Sequence, residues 1–374
     1  MDLAERDRRW SAVQAAMRAD GLDALIVGMT DARGQKGGFR YLSDERPFHR
    51  YGYVLMLAGR EPVLLLHPVL AHAPRGAWIK DVRFPGHAGT EMAAMLSAAG
   101  AVRVGLVGAD QTMRISDHQA LAALPAIDLV NADALFERVR GPKSAAEIAG
   151  LQEASDIADR CFGHLLDIAR PDMTERDISG KLSDVAIAAG ADELLFLTLS
   201  GEWRDAHIEA RIRAPGDHVL DPAKPFVFSI ELSGPSGFWV ELARVLAFNG
   251  AVADVCETAD LATRSVLAAR AMIRDGVSGP DIQSALESPF DAETQRVWNG
   301  SGHAIGHDVI EAPIIAHGAD TAVRFRNGMA FAMHPLFTWT DRPMAGYVAD
   351  TYVLEPDGCR PLSSWALALY ALNR

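Results

Sequence analysis

Residues 302–313, GHAIGHDVIEAP, gather two histidines and acidic groups among small residues. His303 and His307 are four apart, so they share one face of a helix or of a strand. Gly302, Gly306 and the β-branched Ile305, Val309 and Ile310 favour the strand. Two imidazoles on one face bind a metal ion or carry protons, and they serve equally as hydrogen-bonded framework in a turn. A second reactive pair lies upstream. The apolar runs at residues 226–232 and 238–248 flank Ser-Gly-Pro-Ser-Gly, a strong hairpin signal. A turn centred on Pro235 and Ser236 places Glu231 opposite Glu241, with β-carbons ~5 Å apart. Carboxylates held that close bind a cation, pair with Arg or Lys, or have one pKa raised.

The elements that must hold these groups follow from periodicity. Residues 4–19 form an amphipathic helix stopped by Gly21, and residues 24–28 form a short apolar strand. Strands are expected at 51–58, 62–67 and 102–107, with a helix at 91–99, an α/β pattern. Gly141-Pro142 marks a junction. Ser144 with Glu147 is a capping box for a helix running to about residue 168, and Thr174 with Asp177 caps another at 173–189. Strands at 195–200, 226–232, 238–248, 329–333 and 347–354 follow, with helices at 254–274 and 280–297.

At 374 residues the chain suits two domains, and 49% hydrophobic with 23% charged residues is ordinary for a soluble protein. The net charge of −13 argues against a nucleic-acid surface. Cys161, Cys256 and Cys359 form no CxxC pair, so neither a disulfide framework nor a thiolate metal site is indicated. The charged start lacks a signal-peptide core, and no apolar run approaches the ~18–20 residues needed to span a bilayer. A cytoplasmic location with no membrane partner is expected.

The 302–313 segment resembles the GHGIG-x-D-V-H-E-x-P signature of the creatinase, prolidase and aminopeptidase P superfamily, the pita-bread fold. Arg140, Lys143, Ser144, Glu147 and Ile148 are similar to its R-x-x-K-S-x-x-E-I junction. The resemblance implies an α/β amino-terminal domain (residues 1–138) followed by an α+β pita-bread domain (139–374), and a homodimer. It also implies that the amino-terminal loop bearing Arg33, Arg40, Arg46, His49 and Arg50 reaches a substrate. Arg is suited to carboxylates, though a solvated charged loop is the alternative.

In the family's metallopeptidases two Asp, one His and two Glu bridge two metal ions. Those positions are here Glu231, Glu241, His303, His334 and Ala349, where the family's R-x-E-D-T strand has lost its Glu. The His of V-H-E-x-P is Ile310. His207 follows Ser200-Gly201 and matches the general base of metal-free creatinase. Asp350, Thr351 and Tyr352 resemble framework. Trp203, Trp239, Phe337 and Trp339 either wall a pocket or belong to the core.

The reading drawn from these residues is a metal-independent, creatinase-like hydrolase cleaving a non-peptide C–N bond in a small nitrogenous substrate. Its catalytic group is His207, Glu231, Glu241, His303 and His334; its substrate contacts are Arg46, Arg50, Trp203, Arg244 and His307; it uses no cofactor. Two alternatives stand beside it. One is a pita-bread pseudoenzyme acting as a binding protein. The other is a hydrolase or lyase with one divalent metal ion on His303, His334 and Glu241.

Overall fold

The computed structural model describes residues 1–73, 76–200, 212–248, 253–340 and 345–372. Two compact units divide the chain: residues 1–140 with 307–309, and residues 141–306 with 310–374.

The first unit is an α/β layer. Ala24–Thr30 lies at the centre of a six-stranded sheet, antiparallel to Tyr51–Leu57 and parallel to Arg103–Val107. Strand side chains alternate between faces. Leu25, Val27 and Met29 therefore pack with Val13 and Met17 of the helix Leu3–Ala19, while Ala24 and Ile26 pack with Met92 and Leu96 of the helix Ala88–Ala99. The arginine-bearing loop contains a short helix that periodicity did not reveal, Gly37–Ser43, ended by Asp44 with a left-handed φ of 55°. Arg40 is buried in it.

The second unit begins with the helix Ala145–Ile168, opened by the Ser144–Glu147 capping box, and Glu175–Ala188 follows on the Thr174–Asp177 box. The hairpin strands Phe226–Ser233 and Trp239–Phe248 pair in the expected register, with Glu231 opposite Glu241. They form the middle of a nine-stranded sheet whose main path runs Glu311–Ala316, Gly300–Ala304, Ala330–Met333, Ala349–Glu355, Trp239–Phe248, Phe226–Ser233, Glu193–Leu199. The helix Ala145–Ile168 packs on this hairpin. Gly150 makes room for it, because a β-carbon there would come within 2.7 Å of the Phe238 ring.

Three expectations change. The helix expected at 280–297 is Gly279–Glu287, because Pro289 cannot continue it, and Thr294–Arg296 is a strand of a separate three-stranded sheet with Leu336–Trp339 and Ala345–Tyr347. The run expected at 347–354 breaks at Val348, since its two halves belong to different sheets. The 302–313 segment is not one strand. Gly300–Ala304 and Glu311–Ala316 are antiparallel strands, and residues 305–310 connect them.

Candidate metal centre

Four sequence-selected side chains stand on adjoining strands of the second sheet. Glu231 and Glu241 face each other across the hairpin. His303 pairs with Ala332, and Ala332 with Thr351. His334 follows directly after the strand Ala330–Met333, its backbone N–H donating to Ser301 O at 2.8 Å. Glu231, Glu241 and His303 are buried, and His334 keeps a partly exposed edge.

One carboxylate oxygen of Glu241 and one ring nitrogen of each of His303 and His334 all lie within 4.8 Å of one another. Glu241 Oε1 is 3.4 Å from His303 Nε2. Neighbouring ligand atoms of a tetrahedral ion with bonds of ~2.0–2.1 Å are separated by roughly that much. His303 Nδ1 is 3.1 Å from the Ala304 carbonyl oxygen. A carbonyl only accepts, so Nδ1 carries the proton and Nε2 turns its lone pair toward Glu241. The Nδ1 of His334 is buried and has no hydrogen-bond partner among the described residues. The imidazole rings are 5.0 Å apart.

The electrostatics suit a cation site. Burial lowers the pKa of His303 to about 4, outweighing its hydrogen bond to Ala304 and the Glu311 charge. Burial, aided by the neighbouring His303, lowers that of His334 to about 3. Both rings are neutral at pH 7, the state that ligates. Burial first, and then the Glu231 charge, raise the Glu241 pKa well above the usual carboxylate range. A bound cation would relieve that penalty. The donor set of two imidazoles and a carboxylate therefore fits one divalent ion.

The remaining expected residues fall in several places. His207 and Trp203 lie outside the described residues. Arg244 is fully buried on the strand face opposite Glu241 and donates to Asp350 at 2.8 Å and to the carbonyls of Ala243, Ala349, Trp365 and Ala366. His307 does not share a strand with His303. It belongs to the first unit, buried with its ring 6.5 Å from that of Tyr41. Arg46 is exposed beside a cavity of about 360 Å³ lined by Glu45, Pro47, Phe48, Leu66 and Leu70. Arg50 is exposed, and its backbone N–H donates to Asp31 at 3.0 Å. Trp239, Phe337 and Trp339 are core aromatics, with Trp339 Nε1 donating to Thr258.

Sequence reasoning missed Tyr347, Ser229 and Trp298 as parts of the site, whereas Thr351 was read as framework. The buried Tyr347 hydroxyl shares a hydrogen bond with Ser229 and feels both glutamates, and burial raises its pKa well above normal. Ser229 Oγ donates to Glu231 Oε1 at 3.1 Å. Thr351 Oγ1 accepts from Glu241 N–H at 2.8 Å and fixes that strand position. Trp298 stands edge-on to His334 with ring centroids 5.8 Å apart. Tyr347 was detectable, because it occupies the place of the Arg in R-x-E-D-T.

Comparison with known proteins places this geometry. The model for metallopeptidase family M24 matches residues 149–357, and that for the creatinase/prolidase N-terminal domain matches residues 9–141. A probable dipeptidase PepE of Mycobacterium bovis is 25% identical over 270 residues, covering 69% of this chain and 70% of its own length. Among solved structures, an Xaa-Pro dipeptidase from Bacillus anthracis has a TM-score of 0.80 at 20% identity, covering 98% of this chain and all of its own. Dipeptidase PepE from Mycobacterium ulcerans has a TM-score of 0.80 at 20% identity, with both chains fully covered.

These findings correct the functional reading of the sequence. The matched family is one of metallopeptidases and the similar proteins are named dipeptidases, so the expectations of a metal-independent enzyme, of no cofactor and of a non-peptide C–N bond are overturned. The physical reason is that replacing a carboxylate by His334 exchanges one ligand for another and does not dismantle the site. With a creatinase/prolidase amino-terminal domain ahead of a pita-bread domain, the chain belongs to metallopeptidase family M24.

Proposed function

We propose that this protein is a metal-dependent hydrolase of short peptides whose divalent ion is held by Glu241, His303 and His334. The observation that carries this reading is the convergence of those three ligand atoms within 4.8 Å, with His303 Nε2 turned inward by the bond from Nδ1 to Ala304. The dipeptidase names of the similar proteins support the substrate class.

A divalent ion there would polarise a carbonyl oxygen and make a bound water more acidic. Glu231, held by Ser229 beside Glu241, is the group that takes a proton from the attacking water at its carboxylate and returns it to the departing amine. The partly exposed edge of His334 is the side open to a substrate, and Trp298 against that ring limits how far the imidazole turns.

The test is a dipeptide panel assayed with protein stripped of metal and reloaded with zinc, manganese or iron(II). Hydrolysis that needs the ion, and that falls at least a hundredfold in His303→Ala and His334→Ala, is the expected result. A fully loaded protein that leaves every dipeptide intact would sink the proposal.

A further inference from the structure

We propose that the centre takes one divalent cation per chain, and that Tyr347 fills the far side of the Glu231–Glu241 pair where a second cation would need its ligands. The inference rests on the metal-centre reading above and goes beyond it in fixing the number of ions and the residues that set it.

Strand register defines the space in question. Ser229 is opposite Ala243, Glu231 is opposite Glu241, and Ala349 is opposite Ala243 on the other side. Paired residues share a face, as do residues two apart in one strand. Ser229, Glu231, Glu241, Ala243 and Ala349 therefore line one face, with the two alanines and the serine beside the glutamates. Ala349 offers no ligand atom. Among the described residues, the ligand cluster contains Glu241 but not Glu231.

Tyr347 takes up the space these small residues leave. It is buried, its hydroxyl is hydrogen-bonded with Ser229, and both glutamate charges act on it. Ser229 Oγ donates to Glu231 Oε1 and is also in hydrogen-bond contact with the Tyr347 hydroxyl, so the serine links the phenol to Glu231. A second cation at this position would meet a protonated phenol, a hydroxyl already donating, and methyl groups. That donor set lacks the anionic ligands a second divalent ion requires.

The experiment is a metal titration of the stripped full chain with zinc and with manganese, followed by calorimetry and by elemental analysis after gel filtration. About one equivalent per chain is expected for the wild type. Two equivalents of similar affinity overturn this inference while leaving the metal-centre reading intact, and no bound ion overturns both. The double variant Tyr347→Ala/Ala349→Glu opens the space and restores a carboxylate, so about two equivalents are expected. A folded double variant that still takes one ion overturns the assignment to Tyr347 and Ala349. If the double variant does not fold, Tyr347→Phe keeps the ring and decides the point. Loading the ion should give a near-ultraviolet tyrosine difference signal in the wild type that this variant lacks, and an unchanged signal overturns the placement of Tyr347.

Discussion

Glu231 and Glu241 stand directly opposite each other on the hairpin Phe226–Ser233/Trp239–Phe248, both buried, yet only Glu241 joins the imidazoles of His303 and His334. The two carboxylates thus have different surroundings. Glu241 looks toward two neutral rings, and Glu231 is held by Ser229 beside Tyr347. Like charges held so close raise the cost of ionising both, and the behaviour of the site depends on how that cost is relieved.

Glu241→Gln should separate binding from folding. The amide removes a buried charge that burial and Glu231 both disfavour, so the metal-free variant should melt at or above the wild-type temperature. Its affinity for zinc should fall by about 2 kcal/mol or more, since a charge-assisted ligand is lost. Calorimetry and thermal melts check both halves. A variant that binds zinc as well as the wild type would remove Glu241 from the ligand set.

Metal binding should release a proton at pH values below the raised pKa of Glu241, and the source should be that carboxyl. His303 and His334, with pKa values of about 4 and about 3, are neutral above those values and contribute no proton there. Affinity should therefore rise with pH and level off above the Glu241 pKa. Titrations in buffers of differing ionisation enthalpy measure the proton, and Glu241→Gln should abolish its release.

The metal-free protein should lose stability as pH drops below 6.5. Each imidazole binds its proton more readily in the unfolded chain, because its folded pKa lies below 6.5. The loss runs down to about pH 4 for His303 and about pH 3 for His334. Every tenfold drop in an imidazole's proton affinity on folding corresponds to about 1.4 kcal/mol. Glu241 acts in the opposite sense, its penalty growing as pH rises past 4.5. Urea midpoints across pH 4–7 should show a shallower acid limb in His334→Gln than in the wild type.

Two buried ion pairs hold the framework of this unit. Lys143 Nζ is 2.6 Å from Glu311 Oε2, and Arg244 is 2.8 Å from Asp350, whose carboxyl burial pushes up to about 6 against the pull of that guanidinium. Lys143→Met should destabilise by about 3–5 kcal/mol by leaving the Glu311 charge buried without its ammonium. Lys143→Met/Glu311→Leu should recover most of that loss, and denaturant midpoints for the cycle measure the coupling. Gly306→Ala should resemble the single variant, since its β-carbon would collide with the Glu311 carboxylate.

Local rules were enough to find the capped helices opened by Ser144 and Thr174 and the Glu231–Glu241 pair, because a cap and a hairpin register are set by residues near in sequence. The resemblance of residues 302–313 and the 140–148 junction also located the fold. The metal centre itself was less legible. His303 and His334 are thirty-one positions apart and become ring neighbours only because Gly300–Ala304 pairs with Ala330–Met333. Substitutions at all the family's carboxylate positions suggested a dismantled site, since residue types alone do not show that a histidine has moved into ligand distance. Arg244 and His307 illustrate the same limit. Charge and spacing made them candidates for substrate, and the structure buries one against Asp350 and the other beside Tyr41. The sequence by itself determined the strands and the inventory of donors. The tertiary structure decided which donors meet, because burial and long-range strand pairing are properties of the packed sheet and not of any one segment.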